Sequence, residues 1–406
     1  MTRTPAIVFK CKRDGSEEIL VCSYNVLLPN HSSWWVFKYY EAKDRAKYSS
    51  WEYRKQLLKA QFADINADLL AVQETSPETF EQDFDFLLED YEGISHRRSR
   101  IACAMFWRKG RFEALAVRQR DRSIITILRD QNQRIIAFVS CHLNAGQRPR
   151  RRFQQLFAIS QQLKKEQSRY DIDLFVLAGD FNATGNHTAV HELLTKGSVE
   201  RNFREDLYPD VEISSNLKEQ EIGVFHDVYA SIGEYPTMEV LNARERILDW
   251  EKQALQPAYK EALESIFEQF AENGLIRQEG VEAWSMRINK GLRGGEYRMA
   301  AALVEEDALS LDAFIAIHKE EALKGKAWSL YADLQEFGIS LPQCGSLSNR
   351  FVLDKIWYHS ENYICTQARQ PISIEAQERI DQGDYAPNRW HPSDHFPLLT
   401  LFKPKI

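Results

Sequence analysis

The sequence predicts an α/β fold, a mixed core of strands and helices interrupted by one helical insert. Three observations carry this expectation. Apolar runs such as "LFVLA" (174–178) continue without alternation, as strands do when both faces are covered. An amphipathic helix separates two such strand regions, giving a strand–helix–strand unit over 123–182. From about 238 to 343 the apolar residues change to helical spacing.

In chain order, "ILVCSYNVL" (19–27) reads as a strand ending in polar residues. "YRKQLLKAQFADIN" (53–66) reads as a helix through Leu57, Leu58, Phe62 and Ile65. "ADLLAVQET" (67–75) is a second strand with a polar end. "IACAMFWRKGRFEALAV" (101–117) and "SIITILRDQNQRIIAFVSCHLN" (123–144) read as strands joined by polar turns. "RRRFQQLFAISQQLKKE" (150–166) is the amphipathic helix, through Phe153, Leu156, Phe157 and Leu163. "DLFVLAGDFN" (173–182) is the strand after it, with a tight turn expected at Gly179. Inside the insert Tyr259, Leu263, Ile266 and Phe270 fall at helical spacing, and 309–338 continues in that style. Strand-like chain resumes at "RFVLDKIWYHS" (350–360) and ends with "HPSDHFPLLTLF" (391–402). There is no repeat and no low-complexity segment.

Composition narrows the function classes. With 406 residues, 44% hydrophobic and 27% charged, the chain has an ordinary soluble globular composition. No stretch approaches the roughly 18 apolar residues of a membrane span, and the first fifteen residues hold no apolar run of signal-peptide length. The six cysteines are scattered without a close pair, which fits a reducing compartment, cytoplasm or nucleus, and argues against zinc or a disulfide framework. A net charge of -7 excludes a generic polyanion binder, so any phosphate chemistry needs a local basic surface or bound metal.

The strand-like stretches share a feature. Five end in a polar signature: Asn25 in "SYN", Glu74 in "VQE", His142 in "CHL", Asp180 and Asn182 in "GDFN", and Asp394 with His395 in "SDH". Asp354 in "LDKIW" is a sixth. Ligand sites of α/β folds collect at strand ends, where a rigid scaffold holds loop residues. Glu74, Asp180 and Asp394 are hard oxygen ligands suited to Mg²⁺ or Mn²⁺. His142 and His395 can donate to a phosphate or move protons, with Asp354 orienting one of them. Taken singly each has a plainer explanation. A lone Asp after a strand is ordinarily a turn or cap residue, and a lone His a satisfied core residue. Those explanations fail together, because they leave the shared chemistry of the set unexplained.

"SYN", "QE", "HL", "GDFN", "LDKIW" and "SDHFPL", in this order, resemble the endonuclease/exonuclease/phosphatase superfamily. "SYNVL", "LLAVQE", "AMFWRKGRF", "LAGDFNAT" and "HPSDHFPL" are most similar to its deadenylase branch, with Nocturnin and the Angel proteins. The resemblance covers about two thirds of the chain, all but the insert. Departures are "SCHLN" in place of "NTHLY", "LDKI" in place of "LDYI", and Ala183, Thr184 and Gly185 where Ser-Thr-Pro is typical. The resemblance implies two mixed sheets packed face to face as a four-layer α/β sandwich with outer helices. It implies one catalytic domain, 1–238 with 344–406, and a helical insertion, 239–343. It also implies that Glu74 is the principal metal ligand, with Asn25 beside it and Asp394 supporting the metal site from the opposite strand. Asp180 would position or activate the attacking water, and Asn182 would hold the phosphate. His395, paired with Asp354, would contact the phosphate, and His142 would donate to a nonbridging oxygen.

The function so implied is a Mg²⁺-dependent phosphodiesterase, a 3′–5′ exoribonuclease of deadenylase type acting on RNA. The alternatives are a phosphatase on a small phosphorylated molecule, such as a nucleotide cofactor, inositol phosphate or phospholipid headgroup, and a non-catalytic scaffold whose insert binds a protein partner. Arg148, Arg150, Arg151 and Arg152 follow His142 closely and are candidates for binding substrate phosphates, against the alternative of a solvated face. Trp35, in the aromatic run after "SYN", is a candidate for stacking on a base. In the insert, "FEQFAENGLIRQEGVEAW" (267–284) has the rhythm of an EF-hand but lacks the spaced acids, so a degenerate hand without calcium is expected.

Overall fold

The computed structural model describes residues 15, 17–28, 47–48, 50–97, 101–213, 223–232, 235–241, 244–249, 251–288, 295–306, 308–342 and 348–405. They fall into two compact units. One holds the described residues up to Glu239 and from Arg350 onward, and the other those between Val240 and Asn349.

The first unit is built on two six-stranded sheets. Its strands are β1 (Ile19–Asn25), β2 (Leu69–Thr75), β3 (Tyr91–Ser95), β4 (Ala102–Arg108), β5 (Phe112–Arg120), β6 (Ser123–Asp130), β7 (Ile135–His142), β8 (Leu174–Asp180), β9 (His226–Asp227), β10 (Asp354–His359), β11 (Tyr363–Arg369) and β12 (Leu398–Pro404). One sheet has the order β11-β12-β1-β2-β4-β3 and the other β9-β10-β8-β7-β6-β5. Both are mixed: β1 runs parallel to β2 and β7 to β8, and the other pairings are antiparallel.

The unbroken apolar runs are explained by cover on both faces. Ile19, Val21, Leu69 and Ala71 of one sheet meet Phe138, Val176, Ala178 and Ile356 of the other. On the outer face of the first sheet, Leu20, Cys22, Leu70 and Val72 pack against Leu58, Phe62 and Ile65 of α1 (Trp51–Ile65). The Ser50 side chain caps α1 by accepting from the Tyr53 amide, and Asn66 ends it in the left-handed region at φ 47°. On the other outer face, Phe153, Leu156, Ile159 and Leu163 of α2 (Pro149–Gln167) and Leu193 of α3 (Ala189–Lys196) cover Ile125, Val139, Leu177 and Trp357. The unit is therefore a four-layer α/β/β/α sandwich.

The second unit is helical and has its own core. Leu263 and Phe267 of α4 (Pro257–Glu268) and Trp284 of α5 (Gln278–Arg287) pack with Ala300 of α6 (Gly295–Glu306), Phe314 of α7 (Leu311–Glu321) and Leu334 of α8 (Ala327–Gln335). A one-residue antiparallel bridge, Ile276 with Leu309, joins the α4–α5 loop to the α6–α7 loop. No helix among the described residues is long and apolar enough to cross a membrane.

Candidate active site

Asn25 ends β1, and its parallel neighbour β2 supplies Glu74. Glu74 is not an ordinary strand residue. Gln73 pairs with Cys103 and Thr75 with Ala102, so Glu74 is the extra residue of a β-bulge, at φ 61°. Strict alternation would face it outward with Leu70 and Val72, into the α1 layer. The bulge turns it instead to Asn25, whose Nδ2 donates to Glu74 Oε1 at 3.2 Å.

The second sheet aligns three more groups. His142 of β7 lies opposite Asp180 of β8, and Asp354 of β10 lies opposite the same Asp180. Asp180 shares the face of Val176 and Ala178, so it points toward the first sheet. Gly179 does not turn the chain, contrary to expectation; it lies inside β8, paired between Cys141 and Lys355. A Cβ there would stand 2.0 Å from the Cys141 carbonyl oxygen, so the close approach of β7 requires glycine. The turn comes after Asp180, where the Asn182 amide donates to Asp180 Oδ1 at 2.9 Å and Asn182 itself sits at φ 49°. The Asn182 Nδ2 donates to the Leu143 carbonyl at 3.0 Å.

Asp354 and the "SDH" residues do not end strands either. Asp354 begins β10, and Asp394 and His395 lie in the loop ahead of β12. Both strands run antiparallel to those that end at the site, so their starts meet the others' ends. Ser393 Oγ donates to the Asn25 carbonyl at 2.6 Å and accepts from the His395 amide at 3.2 Å, which fixes the loop.

These elements bring Asn25, Glu74, His142, Asp180, Asp354 and His395 together, while the Asn182 side chain, expected to hold the phosphate, is spent on the Leu143 carbonyl. His395 Nδ1 donates to Asp354 Oδ2 at 2.7 Å, and its Nε2 lies 3.9 Å from Asp180 Oδ2. Asn25 Nδ2 also donates to Asp180 Oδ2 at 3.1 Å, so one amide joins the carboxylates of the two sheets. His142 Nε2 lies 3.6 Å from Asp180 Oδ2 and 4.0 Å from Glu74 Oε1. Ligand atoms of Asp180, Asp354 and His395 all lie within 4.8 Å of one another.

Burial dominates the electrostatics. It pushes Asp180 up to about 6, helped by the neighbouring Asp354 and opposed by His142 and His395. Burial also raises Asp394 to about 6, with His395 opposing and Glu74 adding to the rise. For His395 burial alone favours the neutral ring, but the Asp354 charge and hydrogen bond, with Asp394 and Asp180, carry it well above its ordinary value. The result is a protonated imidazole among carboxylates that resist ionisation. The acidic groups fit a hard divalent cation: Glu74, 19% exposed, offers carboxylate oxygens, and Asp354 Oδ1 is buried with no hydrogen-bond partner among the described residues, whereas Asn25 turns its amide nitrogen to Glu74 and its oxygen to the Leu27 amide.

The arginines are largely occupied. Arg152 is 1% exposed, paired with Glu205 at 3.2 Å, and donates to the Asn144 and Gly146 carbonyls, so it supports the loop after His142 from inside. Arg151 pairs with Asp121 at 2.5 Å and Arg150 donates to the Glu212 carbonyl; Arg148, just ahead of α2, is exposed. Trp35 lies outside the described residues. Sequence reasoning missed Ser393 and Arg54. Arg54 had a signal, since it stands on the α1 stripe with Leu58, Phe62 and Ile65.

The model of the Endonuclease/Exonuclease/phosphatase family matches residues 22–395. Two curated relatives are the CCR4-Not complex 3'-5'-exoribonuclease subunits Ccr4 of Candida glabrata, 28% identical over 107 residues, and of Saccharomyces cerevisiae, 28% identical over 109. Each match covers 23% of this chain and 12% of the relative. Among solved structures, ANGEL2, a 2',3'-cyclic phosphatase, is similar in fold, at TM-score 0.53 and 13% identity over 95% of each chain. With a family model matched from Cys22 to His395, over every group of the site, the chain belongs to the Endonuclease/Exonuclease/phosphatase family.

Proposed function

We propose that this hydrolase of phosphate esters is a divalent-cation-dependent phosphodiesterase acting on RNA from the 3′ end. The observation that carries the reading is the Asn25 amide, which joins Glu74 of one sheet to Asp180 of the other beside the His395–Asp354 pair. Glu74, with Asp394 alongside and Asn25 orienting its carboxylate, would hold Mg²⁺ or Mn²⁺. When bound, the cation neutralises charge on the phosphate and the leaving oxygen. Asp180 orients the attacking water and takes its proton, a role suited to a carboxyl raised to about 6. Protonated His395, held by Asp354, donates to a phosphate oxygen as negative charge develops. His142 would donate to a second one, a role supported by its Nε2 lying 3.6 Å from Asp180 Oδ2, and Asn182 would steady the Asp180 turn beside the phosphate.

A second reading is a phosphatase on a small phosphorylated molecule. It is favoured by the net charge of -7 and by Arg150, Arg151 and Arg152 being engaged within the protein. The test incubates the purified chain and Mg²⁺ with oligo(A), mixed RNA, DNA and a panel of small phosphates, beside Glu74→Ala and Asp180→Ala. Shortening of oligo(A) from its 3′ end, abolished in both variants, is the expected result. Release of phosphate from small molecules alone transfers the assignment to the second reading, and equal Mg²⁺ affinity in wild type and Glu74→Ala by calorimetry removes the metal assignment.

A further inference from the structure

Arg54 is 1% exposed, and its guanidinium faces backbone oxygens. Nη1 donates to the Val26, Leu27 and Pro392 carbonyls at 3.2, 2.7 and 3.0 Å, and Nη2 to the Leu28 carbonyl at 2.9 Å. These carbonyls belong to two segments far apart in sequence. Residues 26–28 follow Asn25, and Pro392 precedes Ser393, Asp394 and His395.

Both segments set the site through their own amides. The Leu27 amide donates to Asn25 Oδ1 at 3.1 Å, fixing which way the Asn25 amide points. The Leu28 amide approaches Glu74 Oε2 at 3.4 Å. On the other side, Ser393 connects the Asn25 carbonyl to the His395 amide. The carbonyls these turns leave pointing inward all need donors, and one planar fork supplies them. We propose that Arg54 is a positioning residue for the reaction, the latch that holds the Asn25–Glu74 half of the site in register with the Asp394–His395 half. It acts through backbone carbonyls and touches neither substrate nor metal. Its role rests on the phosphodiesterase reading only where activity is the measure.

The charge matters as well as the shape. Burial lowers the guanidinium to about 10, opposed by Asp394, Tyr24 and Glu74, so it stays protonated at neutral pH. A lysine in its place keeps the charge but brings one nitrogen, with three N–H groups, to carbonyls that the two terminal nitrogens of Arg54 share.

The test compares the full-length wild type with Arg54→Lys. Arg54→Gln serves if the lysine variant does not fold. Arg111→Lys is the control, since Arg111 is a partly buried arginine that pairs with Asp68 Oδ1 at 2.6 Å and donates to the Glu18 carbonyl, just ahead of β2 and β1 and so remote from their Glu74 and Asn25 ends. Three readouts are taken well below every melting temperature: Mg²⁺ affinity without substrate, kcat and KM on a small chromogenic phosphodiester, and amide hydrogen exchange. Arg54→Lys should lower kcat about 100-fold with KM little changed. It should weaken Mg²⁺ binding about tenfold, and it should speed exchange at 27–28 and 393–395 together. Arg111→Lys should lose stability and keep all three. Wild-type kcat, Mg²⁺ affinity and exchange in Arg54→Lys overturn the proposal and make Arg54 merely structural. If the wild type hydrolyses no phosphate ester and binds no Mg²⁺, the proposed function falls and exchange alone decides Arg54; faster exchange in one segment or neither then overturns the latch.

Discussion

Replacing Asp180 by asparagine should abolish hydrolysis and yet stabilise the metal-free protein at neutral pH. The magnitude follows from burial. Asp180 is 2% exposed, and its carboxyl is raised from an ordinary 3.8 to about 6. At about 1.4 kcal/mol for each tenfold change in proton affinity, keeping it ionised costs about 3 kcal/mol. Asparagine removes that cost. It also gives up the bond from Asn25 Nδ2, which would then face another amide nitrogen, at a loss of about 1 kcal/mol. The net gain is about 2 kcal/mol. The raised carboxyl fixes the pH window. Above about pH 6 native Asp180 is ionised and the full cost is present, and below about pH 4 it is protonated in both folded and unfolded chains and the cost disappears. Urea unfolding in chelator from pH 4 to 8 measures this. The variant should be more stable at pH 8, with the advantage gone by pH 4. Added Mg²⁺ should erase the advantage by stabilising the wild type more. A variant no more stable than wild type at pH 8, or an advantage that does not change with pH, refutes the reasoning.

Gly179→Ala should cost about 3 kcal/mol or more, since its Cβ would fall 2.0 Å from the Cys141 carbonyl oxygen; a melting temperature within about 2 °C of wild type counts against this packing. Replacing 240–349 by a short Gly/Ser linker should leave a folded catalytic unit that still hydrolyses a generic phosphodiester, because each unit has its own core. A folded but inactive product would mean that the insertion completes the site. Changing Arg148, Arg150 and Arg151 to Gln should lower the salt slope of oligonucleotide binding by roughly 0.7 for each phosphate no longer neutralised, measured on the inactive Asp180→Ala form; coincident slopes favour the small-molecule reading.

The layered core was legible because double cover leaves a plain mark, unbroken runs such as Leu174–Ala178 beside the amphipathic stripe of α2. The polar residues of the site were legible by type, though not by placement. Glu74 reaches Asn25 only through a bulge, which one added residue creates and no local composition announces. Asp354 and His395 looked like strand ends because sequence does not state direction, and β10 and β12 run opposite to β8 and β1. A basic run also reads the same whether its arginines face solvent or one of them, Arg152, is used inside against Glu205. Arg54 is the instructive case: its place on an apolar stripe marked it as buried, but the carbonyls it serves come from segments that only the fold brings near.

The seam between the sheets has a consequence for how this site can drift. Asn25 and Glu74 ride on one sheet, and His142, Asp180 and Asp354 ride on the other. The gap they share is filled by side chains such as Ala71, Phe138, Ala178 and Ile356, all fully buried in the core. The interior thus works as a spacer of adjustable thickness. A methylene added or removed there is transmitted to the separation of the opposed carboxylates, because a close-packed interior passes strain on rather than absorbing it. Selection can therefore tune the reach of the site toward one phosphate ester or another from within, leaving every reacting group unchanged.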